Sequence, residues 1–147
     1  MNRSTYNEQI LPSVGASFAL ISLAIATSFT LWAAVGDLPA AGLLLISLIL
    51  ITIWWRRAIH KITIDKDFLA INQAKIERKF LGTVTILERG DWLIARGVKF
   101  DPHAFHAHKF WMKSGVEVEI LDSRDPHPSW LIGSKRPQEL RDALAKD

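Results

Sequence analysis

Three histidines within six residues, His103, His106 and His108, and two aspartates three apart, Asp122 and Asp125, are the side chains of this chain best spaced for chemistry. Neutral imidazoles suit zinc or copper. In a strand His106 and His108 would share a face, and His127 could approach through the fold. A carboxylate pair can act as acid and base or hold a metal. Yet no cysteine joins the histidines, and their spacing matches no ligand motif. No nucleophile–base set or phosphate loop accompanies the aspartates. The expectation is surface or turn histidines, turn-forming aspartates, no catalytic residue and no cofactor. His103, His106 and His108 are the weak metal candidates.

The aspartates lie in "LDSRDPHPSWLIGSKRP", Leu121 to Pro137. Aspartate side chains bond nearby backbone N–H groups, whereas Pro126 and Pro128 fix φ and cannot donate to a sheet ladder. Trp130 and Ile132 would then point to one side of a strand. Ser134 to Pro137 lead into a helix. Every residue of the stretch has a structural use.

The elements that position these residues follow an uneven distribution of charge. The chain has 147 residues, 49% of them apolar, and a net charge of +3. No charged residue lies between Gln9 and Gly36 or between Asp37 and Arg56. Ser13–Val35 is long enough to cross a hydrocarbon core of about 30 Å, and Leu38–Trp55 is near the lower limit. Only "GDLP" separates them, so the two helices must be antiparallel neighbours, with Gly36 ending one and Pro39 opening the next. The first run is too long for the apolar region of a signal peptide, Glu8 spoils a positive leader, and no small-x-small cleavage site follows. An uncleaved hairpin is expected. Ala19, Ser22, Ala26 and Ala33 fall on one face of the first span, and packing against the second helix is the favoured use, ahead of docking to another membrane protein. No ionisable residue lies inside either span, which argues against a pump or channel formed by this chain alone.

Arg3 precedes the first span, Arg56, Arg57 and Lys61 follow the second, and the turn carries only Asp37. The positive-inside rule then places both termini in the cytoplasm, with the protein in the plasma (inner) membrane. Of the 18 Lys and Arg all but Arg3 lie from Arg56 onward, and of the 15 Asp and Glu all but Glu8 and Asp37 do. That surplus is too mild and scattered for nucleic acid. Arg56, Arg57, Lys61, Lys75, Arg78 and Lys79 could contact anionic headgroups. A solvated face is the alternative, and both readings stand.

Residues 1–57 thus read as an N-terminal tail and a transmembrane hairpin, and residues 58–147 as a mainly-β cytoplasmic domain. "HKITIDKDFLAIN" reads as a β-hairpin, and "AKIERKFLG", "TVTILE", "GVEVEIL" and "SWLIGS" as strands. "RGDWLIARG" reads as a short irregular segment or strand. "RPQELRDALAKD" reads as an amphipathic helix over about 137–146, with Leu140, Ala143 and Leu144 as its buried stripe. About seven short strands and one helix suit a curved antiparallel sheet or small barrel. The order resembles bacterial pleckstrin-homology-like domains.

Two segments also resemble the family called domain of unknown function 3093, small actinobacterial membrane proteins with two helices. Asp122, Asp125, Pro126, Pro128, Trp130, Ser134, Pro137 and Leu140 match its Asp-Pro-x-Asp-Pro-x-Pro-Tyr-Trp-x-x-Ser-Thr-Arg-x-Pro-x-x-Leu segment. Asp101, Pro102, Ala104 and Trp111 match an upstream Asp-Pro-x-Ala-Tyr and Arg-Pro-Trp pattern. Ser123, Ser129 and Lys135 depart from it, as does "HKFW". The resemblance implies the hairpin and the length, and a structural or interaction role for the motif. The combined expectation is a non-enzymatic accessory or scaffolding subunit, with the lipid bilayer and another membrane protein or complex as partners. The alternative is a small membrane-bound enzyme or metal-binding protein using the Asp122/Asp125 and His103/His106/His108 segment.

Overall fold

The computed structural model describes residues 6–145. Arg3, used above for orientation, lies outside the described residues. The chain divides into a helical unit, Leu11–Ile59, and a β unit made of the segment ending at Ile10 together with everything from His60 onward.

In the helical unit, α1 (Val14–Val35) and α2 (Asp37–Ala58) are each 22 residues long. At 1.5 Å per residue each spans about 33 Å, and both are long and apolar enough to cross a membrane. Gly36 makes the turn at φ 101°, a conformation that L side chains rarely adopt. The indole of Trp32 donates to Asp37 Oδ1 at 2.6 Å across that turn. The helix α2 runs past Arg56 and Arg57 to Ala58, so the cations end the apolar span but not the helix. The small-residue face needs correction. The buried positions of α1 are Ser17, Ala24 and Ser28, whereas Ala19, Ser22, Ala26 and Ala33 are exposed. Several faces of α1 carry small residues, and composition alone does not choose among them.

The β unit opens with β1 (Tyr6–Ile10), a strand where a tail was expected. It pairs antiparallel with β2 (His60–Ile64), Ile10 opposite His60. Next come β3 (Phe68–Ile71) and β4 (Ala74–Glu77), completing a four-stranded antiparallel meander. A 3₁₀ turn, Arg78–Phe80, leads to the second sheet. Its strands are β5 (Leu81–Leu87), β6 (Phe105–Ala107), β7 (Gly115–Ile120) and β8 (Ser129–Gly133), in the order β5-β7-β8-β6. The strands fall into two four-stranded sheets, and the second is mixed where antiparallel pairing was expected, because β6 pairs parallel with β8.

Alternation explains the packing. Ile62, Ile64, Leu69 and Ile71 from the first sheet and Val116, Val118 and Ile132 from the second are all essentially fully buried in one core. Apolar burial at about 25 cal/mol per Å² is what stabilises such a small unit. The segment "RGDWLIARG" forms the helix α3 (Arg89–Arg96), not a strand. Its Trp92 is wholly buried, and one helical face suffices to deliver it to a second cluster with Ile10, Leu87, Met112 and Leu131. Gly115 makes room for it, since a Cβ there would meet the Trp92 ring at 2.5 Å.

The helix α4 (Pro137–Ala145) lies against β5 and β7. Leu140 is fully buried in the core shared with Trp130, and Ala143 is buried beside it. Arg78 donates to the carbonyls of Ala143 and Leu144 at 3.3 and 3.0 Å, satisfying the orphan acceptors at the helix end. Replacing Leu140 with Ala should leave a cavity costing about 2–5 kcal/mol, against a total of about 5–15 kcal/mol for a typical domain. Limited proteolysis should then cleave the β unit of Leu140→Ala faster than wild type. Equal resistance would show that the helix is not docked there.

Candidate functional site

The motif residues are mostly used to hold the fold. Asp122 Oδ1 accepts from the backbone N–H of Arg124 at 3.0 Å, and both carboxylate oxygens accept from its guanidinium. Those hydrogen bonds hold the Asp122 carboxyl below the usual range. Asp125 Oδ1 accepts from the N–H of His127 at 2.9 Å. Both aspartates therefore close side-chain-to-backbone turns ahead of β8. Asp101 does the same for His103, at 2.8 Å. Trp130 is buried, with its ring 4.8 Å from that of Phe105. Trp111 packs against the second cluster, and Pro137 is buried at the start of α4.

Ser134 belongs to a buried polar clasp that sequence reasoning missed. Glu8, only 4% exposed, lies on the inward face of β1. It accepts from Ser134 Oγ at 2.6 Å, from the Tyr6 hydroxyl at 2.8 Å and from the N–H of Lys135 at 2.9 Å. Ser134 Oγ in turn accepts from the N–H of Arg136 at 3.0 Å. Burial, together with the hydrogen bond to Glu8, pushes the Tyr6 hydroxyl up to about 12. The available signal was the Tyr6-x-Glu8-x-Ile10 alternation, concealed by an acid in an inward position.

The cavity nearest to chemistry lies on the other face of the second sheet. Register places Thr85, Glu117, Leu131 and His106 in one row across β5, β7, β8 and β6. This row floors a cavity of about 430 Å³, walled by Asp91, Ile94 and Ala95 of α3 and by Lys99, Asp101 and Ala104 of the following loop. Glu117 accepts from Ser129 Oγ at 3.2 Å. His106 Nε2 sits 2.8 Å from the Asp101 carbonyl, which can only accept, so that nitrogen carries the proton and Nδ1 is left as an acceptor. The lining is rich in acceptors, with three carboxylates to one ammonium, and suits a small donor-bearing molecule. Of the histidines only His106 lines it. His103 sits in the Asp101 turn, where its carbonyl meets His127 Nδ1 at 3.0 Å. His108 follows β6, its ring centroid 5.5 Å from that of His106. Among the described residues no group of three His, Asp or Glu is placed to hold a metal ion.

The basic residues are dispersed. Arg56 and Arg57 close the last turn of α2. In the β unit Lys61 faces Gln9 near the strand end joined to the hairpin. Lys75 lies over the Phe68 ring, Lys79 pairs with Glu77, and Arg78 caps α4. Arg78 and Lys79 follow the end of the sheet opposite to Lys61.

Two histidines are held neutral. His60 is fully buried, and its Nδ1 meets Asn72 Nδ2 at 3.1 Å. Asn72, at φ 54°, uses its Oδ1 to accept from Lys61 N–H, so its amide nitrogen donates and the His60 proton sits on Nε2. Burial first, and the Lys109 charge second, lower His60 to about 4. Burial and then Arg96 lower His108 to about 4 as well. In the unfolded chain both would take up a proton near pH 6.5. Between that value and about 4 the unfolded state binds more protons, so stability is full above the window and falls as pH drops through it. Denaturant midpoints followed by tryptophan emission should decline across this range, and His60→Gln should flatten the slope. A variant slope equal to wild type would refute the assignment to His60.

No curated protein and no solved structure matches the chain. The model of one family, described as a protein of unknown function (DUF3093), matches residues 5–144. Nearly the whole chain, hairpin and both sheets included, is covered by that match, and the protein belongs to this family.

Proposed function

We propose that the protein is a membrane-anchored interaction module, a non-enzymatic accessory or scaffolding subunit of a larger membrane complex. The observation that carries this reading is the pairing of β1 with β2 across the hairpin, Ile10 opposite His60. Strands that pair lie on one side of a bilayer, so α1 and α2 would cross it and return. The hairpin then anchors an already complete β unit. The cations Arg56, Arg57 and Lys61 at its base, and Asp37 at its tip, support an orientation with that unit on the cytoplasmic side of the plasma membrane.

The two sheets closed by α4 support the likeness to pleckstrin-homology-like domains. The exposed small residues Ala19, Ser22 and Ala26 offer a close-approach face to a helix of a partner. The use of Asp122 and Asp125 in turns, and of His60 and His108 in packing, supports a module that binds and does not catalyse.

A phosphatase fused after Asp147 should be inactive in the periplasm-dependent assay, whereas the same reporter inserted at the Gly36–Asp37 turn should be active. The protein should also resist alkaline extraction from membranes. An active fusion after Asp147, or release by alkali, would overturn the anchored cytoplasmic reading.

A further inference from the structure

Residues 89–113 carry five cations, Arg89, Arg96, Lys99, Lys109 and Lys113, against two acids, Asp91 and Asp101. That excess equals the +3 of the entire chain. The same stretch exposes large apolar side chains that the core leaves out. Leu93 is 63% exposed, Val98 94% and Phe110 69%. The surface is built, not loose. Trp92 anchors α3, and its indole donates to the Met112 carbonyl at 2.9 Å. Arg96 donates to the carbonyls of Met112 and Phe110 at 3.1 and 3.4 Å, tying the loop that bears Phe110 to the helix. Exposed apolar side chains on a rigid element, flanked by exposed cations, are the composition of a surface that enters the headgroup layer.

The fold says which end of the β unit bears this surface. Trp92 and Met112 cluster with Ile10, the last residue of β1. Ile10 pairs with His60, the first residue of β2. Three residues, Leu11 to Ser13, join Ile10 to α1, and Ile59 alone joins α2 to His60. The end of the β unit that carries α3 is thus the end at which the chain enters and leaves the hairpin. The Asp122 turn lies at the other end, where Leu121 N–H donates to Phe80.

We propose that α3 and the flanking loops form a membrane-contacting face. Leu93, Val98 and Phe110 enter the headgroup region, and Arg89, Lys99 and Lys113 meet the phosphates of anionic lipids. This rests on the reading that α1 and α2 span a bilayer. The occupant is a lipid surface because the excess charge is positive, as an anionic leaflet requires, and because only three residues and one residue of chain connect this end of the β unit to the two apolar helices.

The chain has no cysteine, so single labels can be placed freely. An environment-sensitive fluorophore would be attached to Val98→Cys, Phe110→Cys, Ser123→Cys and Leu45→Cys in the full chain. Each protein would be reconstituted in phosphatidylcholine–phosphatidylglycerol vesicles containing lipids with shallow or deep nitroxides. The labels at 98 and 110 should shift to the blue and lose emission to the shallow nitroxide. The label at 123 should remain aqueous, and that at 45 should be quenched by the deep nitroxide. Omitting phosphatidylglycerol should reduce the quenching at 98 and 110. Labels at 98 and 110 that behave like 123 would overturn the inference, with the spanning helices intact if 45 is still quenched. A blue shift without nitroxide quenching would overturn it too, by showing that protein covers this face. Quenching unchanged in neutral vesicles would refute the anionic-lipid contact. Failure of deep quenching at 45 would remove the spanning reading and this inference with it.

Discussion

One buried carboxylate ties the two ends of this chain together. Glu8 receives three hydrogen bonds, from Tyr6, Ser134 and the backbone of Lys135. Hydrogen bonds to a charged group are worth about 1.5–3 kcal/mol each, and a buried carboxylate stripped of its donors is costly. The segment before the hairpin and the segment before α4 are therefore obliged to meet. Once β1 is held, its pairing with β2 brings together the two ends of a 22-plus-22-residue hairpin. Once Lys135 is held, α4 starts where Leu140 can reach the core. Burial and Glu8 push the Tyr6 hydroxyl up to about 12, so it remains a donor above the pH at which an ordinary tyrosine ionises.

The arrangement makes the hairpin an insertion into a β unit and not an appendage preceding it. A preceding anchor could be shed without disturbing the domain that it carries. An anchor inserted between paired strands cannot, because the chain enters it from β1 and leaves it into β2. The β unit presents different chemistry at its different surfaces. The Asp122 and Asp125 turns stand at one end, and α3 with its exposed apolar residues stands at the other. Between them lies the acceptor-rich cavity over Glu117.

Much of this was legible in the residues. The apolar runs, the Gly36 turn and the Glu117/Glu119 alternation of β7 are local patterns, and each produced the expected element. The turn chemistry of Asp122 and Asp125 was also local. Non-local choices were hidden. Glu8 conceals β1 because its inward position makes sense only once Ser134 is opposite it. In α3, Gly90 and Gly97 bracket a short apolar run, and such a run has no period long enough to separate helix from strand. The parallel pairing of β6 with β8, and the row of Thr85, Glu117, Leu131 and His106, exist only through register between distant strands. The packed face of α1 depends on which side of α2 it meets, and several faces were compositionally eligible.

The central claim is that Glu8 couples the strand before the hairpin to the helix that ends the chain. Hydrogen–deuterium exchange on the full chain, wild type against Glu8→Ala, tests it most directly. The account predicts that amides of β1 and of the Ser134–Leu140 segment lose protection together, while those of α1 and α2 keep theirs. Wild-type protection at α4, or loss confined to β1 alone, would contradict it.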